Sequence, residues 1–174
     1  MRIIKHWTDG ELKEELAKLT IICDTRENVN GHITKYFDAQ HIPRIERKLD
    51  VGDYSAQIGD MTLERSAVVE RKRNIDELCG NMTSDRDRFE REFIRAKAHG
   101  LHIFLIIENA TWSDIFLGNY RSKLSAKSLT ASILSWIARF DVTLIFCKPE
   151  ETPKLIFGLM YYFAREELLY GNHG

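Results

Sequence analysis

One segment, residues 101–107 (LHIFLII), constrains the fold of this chain more than any other, because it is apolar along almost its whole length. A strand that is apolar on both faces is typical of the centre of a sheet that helices cover on either side. Shorter apolar runs at residues 20–25 and 142–146 predict two more buried strands. The sequence therefore predicts an α/β domain with a central sheet flanked by helices.

The other segments alternate between helical and strand patterns. Apolar residues at helical spacing predict four helices, over residues 9–19, 32–41, 84–99 and 125–140. Pro153 is predicted to open a fifth helix. Alternating or β-branched residues predict three further strands, over residues 44–49, 54–58 and 61–71. The resulting order, α-β-α-β-β-β-α-β-α-β-α, has a meander between alternating ends and favours a mixed sheet.

Helix starts and inward faces follow from the same patterns. Asp9, Ser84 with Asp87, and Thr152 stand where helices begin and are predicted as caps. In the last helix, the inward residues are predicted to be Ile156, Leu159 and Phe163.

Composition places few limits on function. The chain has 174 residues, 44% hydrophobic and 29% charged, which fits one globular domain over residues 1–174, with residues 1–19 as an N-terminal helical extension. The net charge of −1 does not indicate a nucleic-acid binder, so any contact with DNA has to depend on a local basic face.

Cysteine usage and hydropathy indicate the compartment. Cys23, Cys79 and Cys147 are far apart and odd in number, which favours neither a zinc site nor a disulfide framework and indicates a reducing setting. Residues 1–20 lack the apolar run of a signal peptide, and no stretch approaches the roughly 20 apolar residues of a membrane helix. A soluble, cytoplasmic protein without a membrane partner is expected.

Residues 49–76 carry the clearest chemical signal. Asp53 follows a glycine before one strand, and Glu70 and Lys72 end a later strand. Residues i and i+2 of a strand point to the same face, so Glu70 and Lys72 are predicted to lie side by side. Two adjacent antiparallel strands would bring Asp53 to the same edge of the sheet.

Two carboxylates and an ammonium in one place suit hydrolysis of a phosphodiester. Asp53 and Glu70 are the predicted ligands of Mg²⁺, with Mn²⁺ as a substitute, and Lys72 is predicted to orient water or stabilise the phosphate charge. Arg71 should point to the opposite face, as a structural or phosphate-binding residue, while its backbone carbonyl could bind the metal. Gly-Asp turns and E-R-K surface triplets are also common, but here the three charges continue an apolar AVV strand in extended form.

These residues resemble the XPF/Mus81 (ERCC4-domain) nuclease family, whose pattern is G-D-x(n)-E-R-K-x(3)-D. Gly52-Asp53, Glu70-Arg71-Lys72 and Asp76 match every fixed position. Four further pieces are similar to family motifs in the same order: residues 23–27 (CDTRE, with Cys for the family Val), residues 49–54 (LDVGDY), Arg88, and residues 106–108 (IIE). The resemblance covers roughly residues 20–145.

The resemblance implies a restriction-endonuclease-like fold of the PD-(D/E)XK type and metal-dependent cleavage of flap, fork or junction DNA in repair or recombination. Family members usually carry a tandem helix-hairpin-helix domain after the nuclease domain. After residue 146 this sequence has room for only one long helix, so a free-standing bacterial or phage nuclease is expected. Such a nuclease could form a homodimer or could act with a separate DNA-binding partner subunit.

Further site residues are predicted around the motif. The resemblance favours Asp24 as a third acidic group at the metal, bound directly or through water, over a role as a turn former or helix cap. Arg26 and Glu27 are predicted to support the site. Asp76 is expected either to pair with Arg71 or Arg26 or to favour the dipole of the helix that follows.

The predicted DNA contacts are Arg88, Arg121, Lys123 and Lys127. Arg91 and Arg95 share a helical face with Arg88 but are interpreted as a solvated surface. The function expected is that of a DNA endonuclease. The alternatives are a catalytically silent DNA-binding or scaffold subunit and a resolvase- or restriction-like nuclease on the same fold.

Overall fold

A computed structural model describes residues 6–171, so the part of the predicted N-terminal extension at residues 1–5 lies outside the described residues. The described chain forms seven helices: α1 (Asp9–Leu16), α2 (Gly31–Ala39), α3 (Ile75–Met82), α4 (Arg86–Ala98), α5 (Trp112–Leu117), α6 (Ala126–Phe140) and α7 (Thr152–Tyr170). It also forms seven strands: β1 (Leu19–Cys23), β2 (Arg44–Glu46), β3 (Tyr54–Ile58), β4 (Met61–Thr62), β5 (Ala67–Lys72), β6 (His102–Glu108) and β7 (Thr143–Cys147).

The strands form one mixed sheet, which confirms the predicted fold class. The order is β2-β1-β3-β5-β6-β7, with the short β4 paired to β3. β3 is antiparallel to both β1 and β5, whereas β5, β6 and β7 are parallel. The parallel half places the carboxyl ends of β5 and β6 at one edge of the sheet, where the charged motif lies.

Each face of the sheet has its own hydrophobic core. Val69 and Ile106 face the core that α1, α2 and α7 cover, and their neighbours Val68 and Ile107 face the core beneath α3, α4, α5 and α6. This alternation follows from the period of two along a strand. It explains why residues 101–107 are apolar on both faces, as the sequence analysis expected. No helix of residues 6–171 is long and apolar enough to cross a membrane.

The structure contains two helices, α3 and α5, that the sequence did not predict. It also divides one predicted strand into two strands, β4 and β5. α3 and α5 are short, and each begins at a side-chain cap, Asn74 and Thr111 respectively. The predicted strand over residues 61–71 is broken because the Ser66 and Ala67 N–H groups donate to the Leu63 carbonyl and close a tight turn between β4 and β5.

The predicted caps and one helix face need correction. Thr8, not Asp9, caps α1 through a capping box with Glu11, and Asp85 rather than Ser84 precedes α4. Thr152 lies inside α7, where its hydroxyl binds a buried carboxylate instead of capping. The buried face of α7 repeats every four residues, at Ile156, Met160, Ala164 and Leu168, and Leu159 and Phe163 are only partly buried beside it.

Candidate active site

Strand register brings the two predicted metal-binding carboxylates together. Tyr54 of β3 pairs with Val69 of β5 in antiparallel register. One further step places Asp53 opposite Glu70, and directly opposed residues of antiparallel strands share a face. The Asp53 N–H donates to the Val69 carbonyl at 2.8 Å, so the pairing continues to this position.

Asp53 is also held by its side chain. The Arg71 backbone N–H donates to Asp53 Oδ2 at 2.7 Å. Burial raises the pKa of Asp53 well above its usual range, and the nearby Glu70 carboxylate raises it further, while the Arg71 N–H acts in the opposite direction. The two carboxyl groups thus oppose each other's ionisation, and a bound cation would favour the charged form of both.

Lys72 lies beside Glu70, as the i, i+2 spacing predicted. Its Nζ donates to Glu70 Oε1 at 2.7 Å, and both side chains are about one-tenth exposed. The ammonium also sits 4.9 Å from the centre of the Phe89 ring of α4. Burial acts to lower the pKa of Lys72, but the ion pair with Glu70 outweighs it and raises the pKa, so the side chain remains a cation.

Arg71 points to the opposite face of β5, into the side of the sheet that α7 covers. Its guanidinium binds both oxygens of Glu108 at 3.0 and 3.1 Å, Glu27 Oε1 at 3.1 Å and the Val29 carbonyl at 3.1 Å. The side chains of Arg71 and Glu108 are each 2% exposed. These contacts are compatible with the supporting role predicted for Arg71 and Glu27, which stays a prediction.

Glu108 is the centre of a buried polar network to which sequence reasoning assigned no role. Besides Arg71, it accepts a hydrogen bond from the Thr152 hydroxyl at 2.6 Å and contacts His32 Nε2 at 2.9 Å. Burial acts to raise the pKa of Glu108, but its hydrogen bonds, with that of Arg71 first, lower it. The motif gave one signal: a carboxylate ends the apolar strand β6.

Glu27 differs from Glu108 although both bind Arg71. Burial raises the pKa of Glu27, and Arg71 only partly opposes this. Arg71 forms two hydrogen bonds with Glu108 and one with Glu27. Glu108 is therefore the principal counter-ion of the guanidinium.

The Asp24 carboxylate, predicted to bind the metal, is bound by protein groups. Its carboxylate accepts hydrogen bonds from the Arg26 N–H, Nε and Nη2 and from the Leu49 N–H, at 2.6 to 3.0 Å. Burial acts to raise the pKa of Asp24, but these bonds outweigh it and lower the pKa. With both oxygens occupied, the carboxylate is satisfied by Arg26 and the chain before Gly52, so ligation of a metal stays a prediction.

Asp76 pairs with neither Arg71 nor Arg26, so the first of its two expected roles is wrong, whereas its place in the first turn of α3 fits the second. It lies in the first turn of α3, and its carboxylate accepts the Arg121 N–H at 2.9 Å and the Ser122 N–H at 2.7 Å. Arg121 Nε lies 3.4 Å from the second oxygen, although this side chain is 90% exposed. Asp76 thus fixes the loop before α6, a contact between residues 45 positions apart that no local pattern indicates.

The predicted DNA contacts lie on the surface. Arg88 is 68% exposed and is 4.0 Å from Asp85, while Lys123 and Lys127 are exposed near Arg121. Their DNA-binding role stays a prediction.

A third carboxylate approaches the edge from α4. Glu92 is half-buried, and burial raises its pKa first, followed by the charge of Glu70. Arg88, Arg95 and Arg26 act in the opposite direction. Glu92 follows Phe89 by three residues, so it lies on the helix face near Lys72. The sequence did not single out Glu92, because it is one of many charged residues in this helix.

The donor set suits a hard divalent cation that keeps several waters. Among residues 6–171, no cluster of three His, Cys, Asp or Glu side chains is arranged as a metal site. Two facing carboxylates fit Mg²⁺, which is commonly bound through one or two carboxylates plus water and substrate oxygens. Binding by the Arg71 backbone carbonyl stays a prediction. They do not fit a zinc site built from Cys and His.

Comparisons with known proteins agree with this geometry. The ERCC4 domain family model matches residues 23–159. XPF from Aeropyrum pernix superposes with a TM-score of 0.60 at 21% identity, covering 82% of this chain and 65% of that chain. The structure of the same protein in complex with DNA gives a TM-score of 0.61 at 20% identity, covering 84% of this chain and again 65% of the other. A comparison with curated proteins gave no match.

Proposed function

Because the chain belongs to the ERCC4 domain family, we propose that it is a metal-dependent endonuclease that hydrolyses phosphodiester bonds of DNA. Asp53, Glu70 and Lys72 are its catalytic side chains. The observation that carries the proposal is the convergence of the two carboxylates at one sheet edge, with the Lys72 ammonium 2.7 Å from Glu70. The fold shared with XPF, one structure of which contains DNA, supports the same substrate class.

Asp53, Glu70 and the Arg71 carbonyl would hold Mg²⁺, or Mn²⁺ in its place. The cation supplies Lewis-acid polarisation of the phosphoryl oxygen and lowers the pKa of water. The protein presents the carboxylates already fixed, since Asp53 is bound by the Arg71 N–H and Glu70 by Lys72. Such preorganisation avoids rearrangement during the reaction.

Lys72 is placed to donate a hydrogen bond to the attacking water or to a non-bridging phosphate oxygen. It remains protonated because Glu70 raises its pKa despite burial. The Phe89 ring beneath the ammonium limits where the side chain can go. Lys72 therefore acts as a fixed donor toward charge that develops on the phosphate.

The finer assignments follow the resemblance to XPF/Mus81 nucleases. The proposed substrate is branched DNA, such as a flap, fork or junction, processed in repair or recombination. Arg88, Arg121, Lys123 and Lys127 are proposed to contact its backbone, and a homodimer or a separate DNA-binding subunit would complete the binding surface. The chain spans 65% of each solved XPF chain that it matches.

Cleavage of labelled DNA tests the proposal. The panel contains duplex, single strand, 3′ flap, splayed fork and four-way junction, each with Mg²⁺, Mn²⁺ or EDTA. Asp53→Asn and Glu70→Gln retain hydrogen-bonding groups for Arg71 and Lys72, so both variants should fold normally but lose at least about 100-fold in rate. Asp60→Ala, in the exposed β3–β4 turn, should cleave like the wild type.

Full activity in either motif variant would remove these residues from the mechanism. Tight binding of one structure without cutting in any metal would instead favour a catalytically silent DNA-binding subunit.

A further inference from the structure

A groove with a volume of about 580 Å³ lies beside the second half of α4, away from the carboxylates. We call it the α4 groove. Arg95 of α4 and His99 just after its end line the groove, together with Arg65 of the β4–β5 turn and with Asp50 and Val51. Neither the motif nor the proposed catalytic set accounts for it.

Three arginines of this region have no bound partner, unlike the other arginines in the described part of the chain. Within residues 6–171, the arginine side chains without an ion pair or hydrogen bond are those of Arg65, Arg91 and Arg95. Arg65 and Arg95 line the α4 groove, and Arg91 lies with Arg88 and Arg95 in the adjoining depression on α4. Three guanidinium groups on one surface are therefore available to bind an anion.

The carboxylates near these three arginines offset only part of their charge. Glu92 of α4 interacts electrostatically with Arg95, and also with Arg88. Glu64 is already bound to Arg47. Asp50 is exposed and lacks an ion-pair partner among the described residues. The surface is therefore locally cationic although the whole chain carries a net charge of −1.

Helix α4 connects the groove with the proposed catalytic residues. Phe89 contacts Lys72 at the start of α4, and Arg95 follows six residues later, about 9 Å along the axis at 1.5 Å per residue. Val51 precedes Asp53 by two residues. The groove therefore lies on the same helix as the Phe89 contact with Lys72, and Val51 at its margin is close to Asp53 in the chain.

We propose that the α4 groove is a phosphate-binding subsite in which Arg65 and Arg95, with Arg91 beside them, hold the backbone of the substrate strand at a distance from the scissile phosphate. This inference rests on the proposed nuclease function, and it specifies where the backbone of the DNA substrate would lie on the protein. Guanidinium groups suit this task because their planar fork of donors matches phosphate oxygens. Asp50 opposes binding at the margin of the groove.

Binding of labelled DNA in EDTA tests the subsite without relying on cleavage. Relative to the wild type, the double variant Arg65→Gln/Arg95→Gln should bind a fork about tenfold more weakly, with a salt dependence lower by about one to two phosphate contacts. Asp50→Asn should bind several-fold more tightly. Arg165→Gln, which removes a similarly exposed arginine paired with Glu166 on α7, should bind normally.

Cleavage separates the subsite from the chemistry. The double variant should show a raised KM with kcat changed less than about threefold, and on DNA too short to reach the groove it should match the wild type. An unchanged Kd and salt slope, or a lost kcat with normal Kd, would overturn the inference, as would equally effective competition by polyglutamate. Groove-dependent binding by a wild type that never cleaves DNA would overturn the nuclease proposal alone.

Discussion

Gly52 determines where the Asp53 carboxylate lies. Its φ is +79°, and a Cβ atom at this position would lie 2.8 Å from Val68 Cβ and 3.1 Å from the Val69 carbonyl oxygen. A glycine is therefore required both for the backbone conformation and for the close approach of β5. Gly52 therefore helps to position Asp53, the proposed metal ligand, although it has no side chain of its own.

Gly52→Ala should destabilise the fold by about 2–4 kcal/mol, the sum of left-handed strain and overpacking against β5. Gly59 is the matched control: its φ is +55°, but no atom lies within 4 Å of the position that an added methyl group would take. Gly59→Ala should cost only about 1–2 kcal/mol. Urea unfolding of both variants measures the difference, and equal losses would contradict a steric role for Gly52.

Lys72→Ala should slow cleavage about 100- to 1,000-fold at saturating Mg²⁺, because a preorganised donor toward the phosphate is removed. Mg²⁺ affinity, measured by calorimetry, should change far less, since the carboxylates remain. Lys97→Ala, at the distant end of α4, is the control. A Lys72 variant with weak metal binding but a normal maximal rate would contradict the assignment.

At the scale of elements, the Arg71–Glu108 network joins five segments of the chain. Glu108 ends β6, Arg71 lies in β5, Thr152 begins α7, His32 lies in α2, and Glu27 follows β1. Since the Arg71 N–H also holds Asp53, the network fixes the end of β5 from the face opposite the chemistry.

Glu108→Gln should destabilise the protein by about 3–5 kcal/mol, because the buried Arg71 cation loses its principal counter-ion. Thr152→Val should cost about 1 kcal/mol for one hydrogen bond. Glu77→Gln breaks the exposed pair with Arg73 and should cost less than about 1 kcal/mol. Denaturant titration ranks the three, and a Glu108 variant as stable as the Glu77 variant would show that the network contributes little.

The sequence predicted the periodic elements and the motif better than the partners of individual side chains. The alternation in residues 101–107 and the i, i+2 relation of Glu70 and Lys72 are local properties, and both are present in the structure. Arg121, a partner of Asp76, lies 45 residues away, and Leu49, one of the two partners of Asp24, lies 25 residues away. Such contacts depend on loop paths that short-range patterns do not encode.

On the scale of the whole molecule, one sheet separates two cores. Ile156 of α7 is fully buried on one face, and Ile133 of α6 is 1% exposed on the other. Because β5 and β6 contribute side chains to both cores, neither face can lose its packing without loosening the shared strands. We propose that the described chain is a single cooperative domain.

Ile156→Ala and Ile133→Ala should each lower the free energy of unfolding by about 2–5 kcal/mol and shift one common transition. Circular dichroism and tryptophan fluorescence should give coincident curves in both variants. The exposed Leu134→Ala should leave the midpoint nearly unchanged. Separate transitions for the two variants would show two independently unfolding halves.

The alternation along β5 also protects the chain against misfolding. Glu70 and Lys72 point to the catalytic face, while Arg71 is bound to Glu108 on the other. Sliding β5 by one residue would turn two charges into the core beneath α7 and leave Glu108 without its guanidinium. The triplet proposed to carry the chemistry thus also penalises the wrong alignment of a central strand, so selection for the proposed cleavage would preserve correct strand pairing as well.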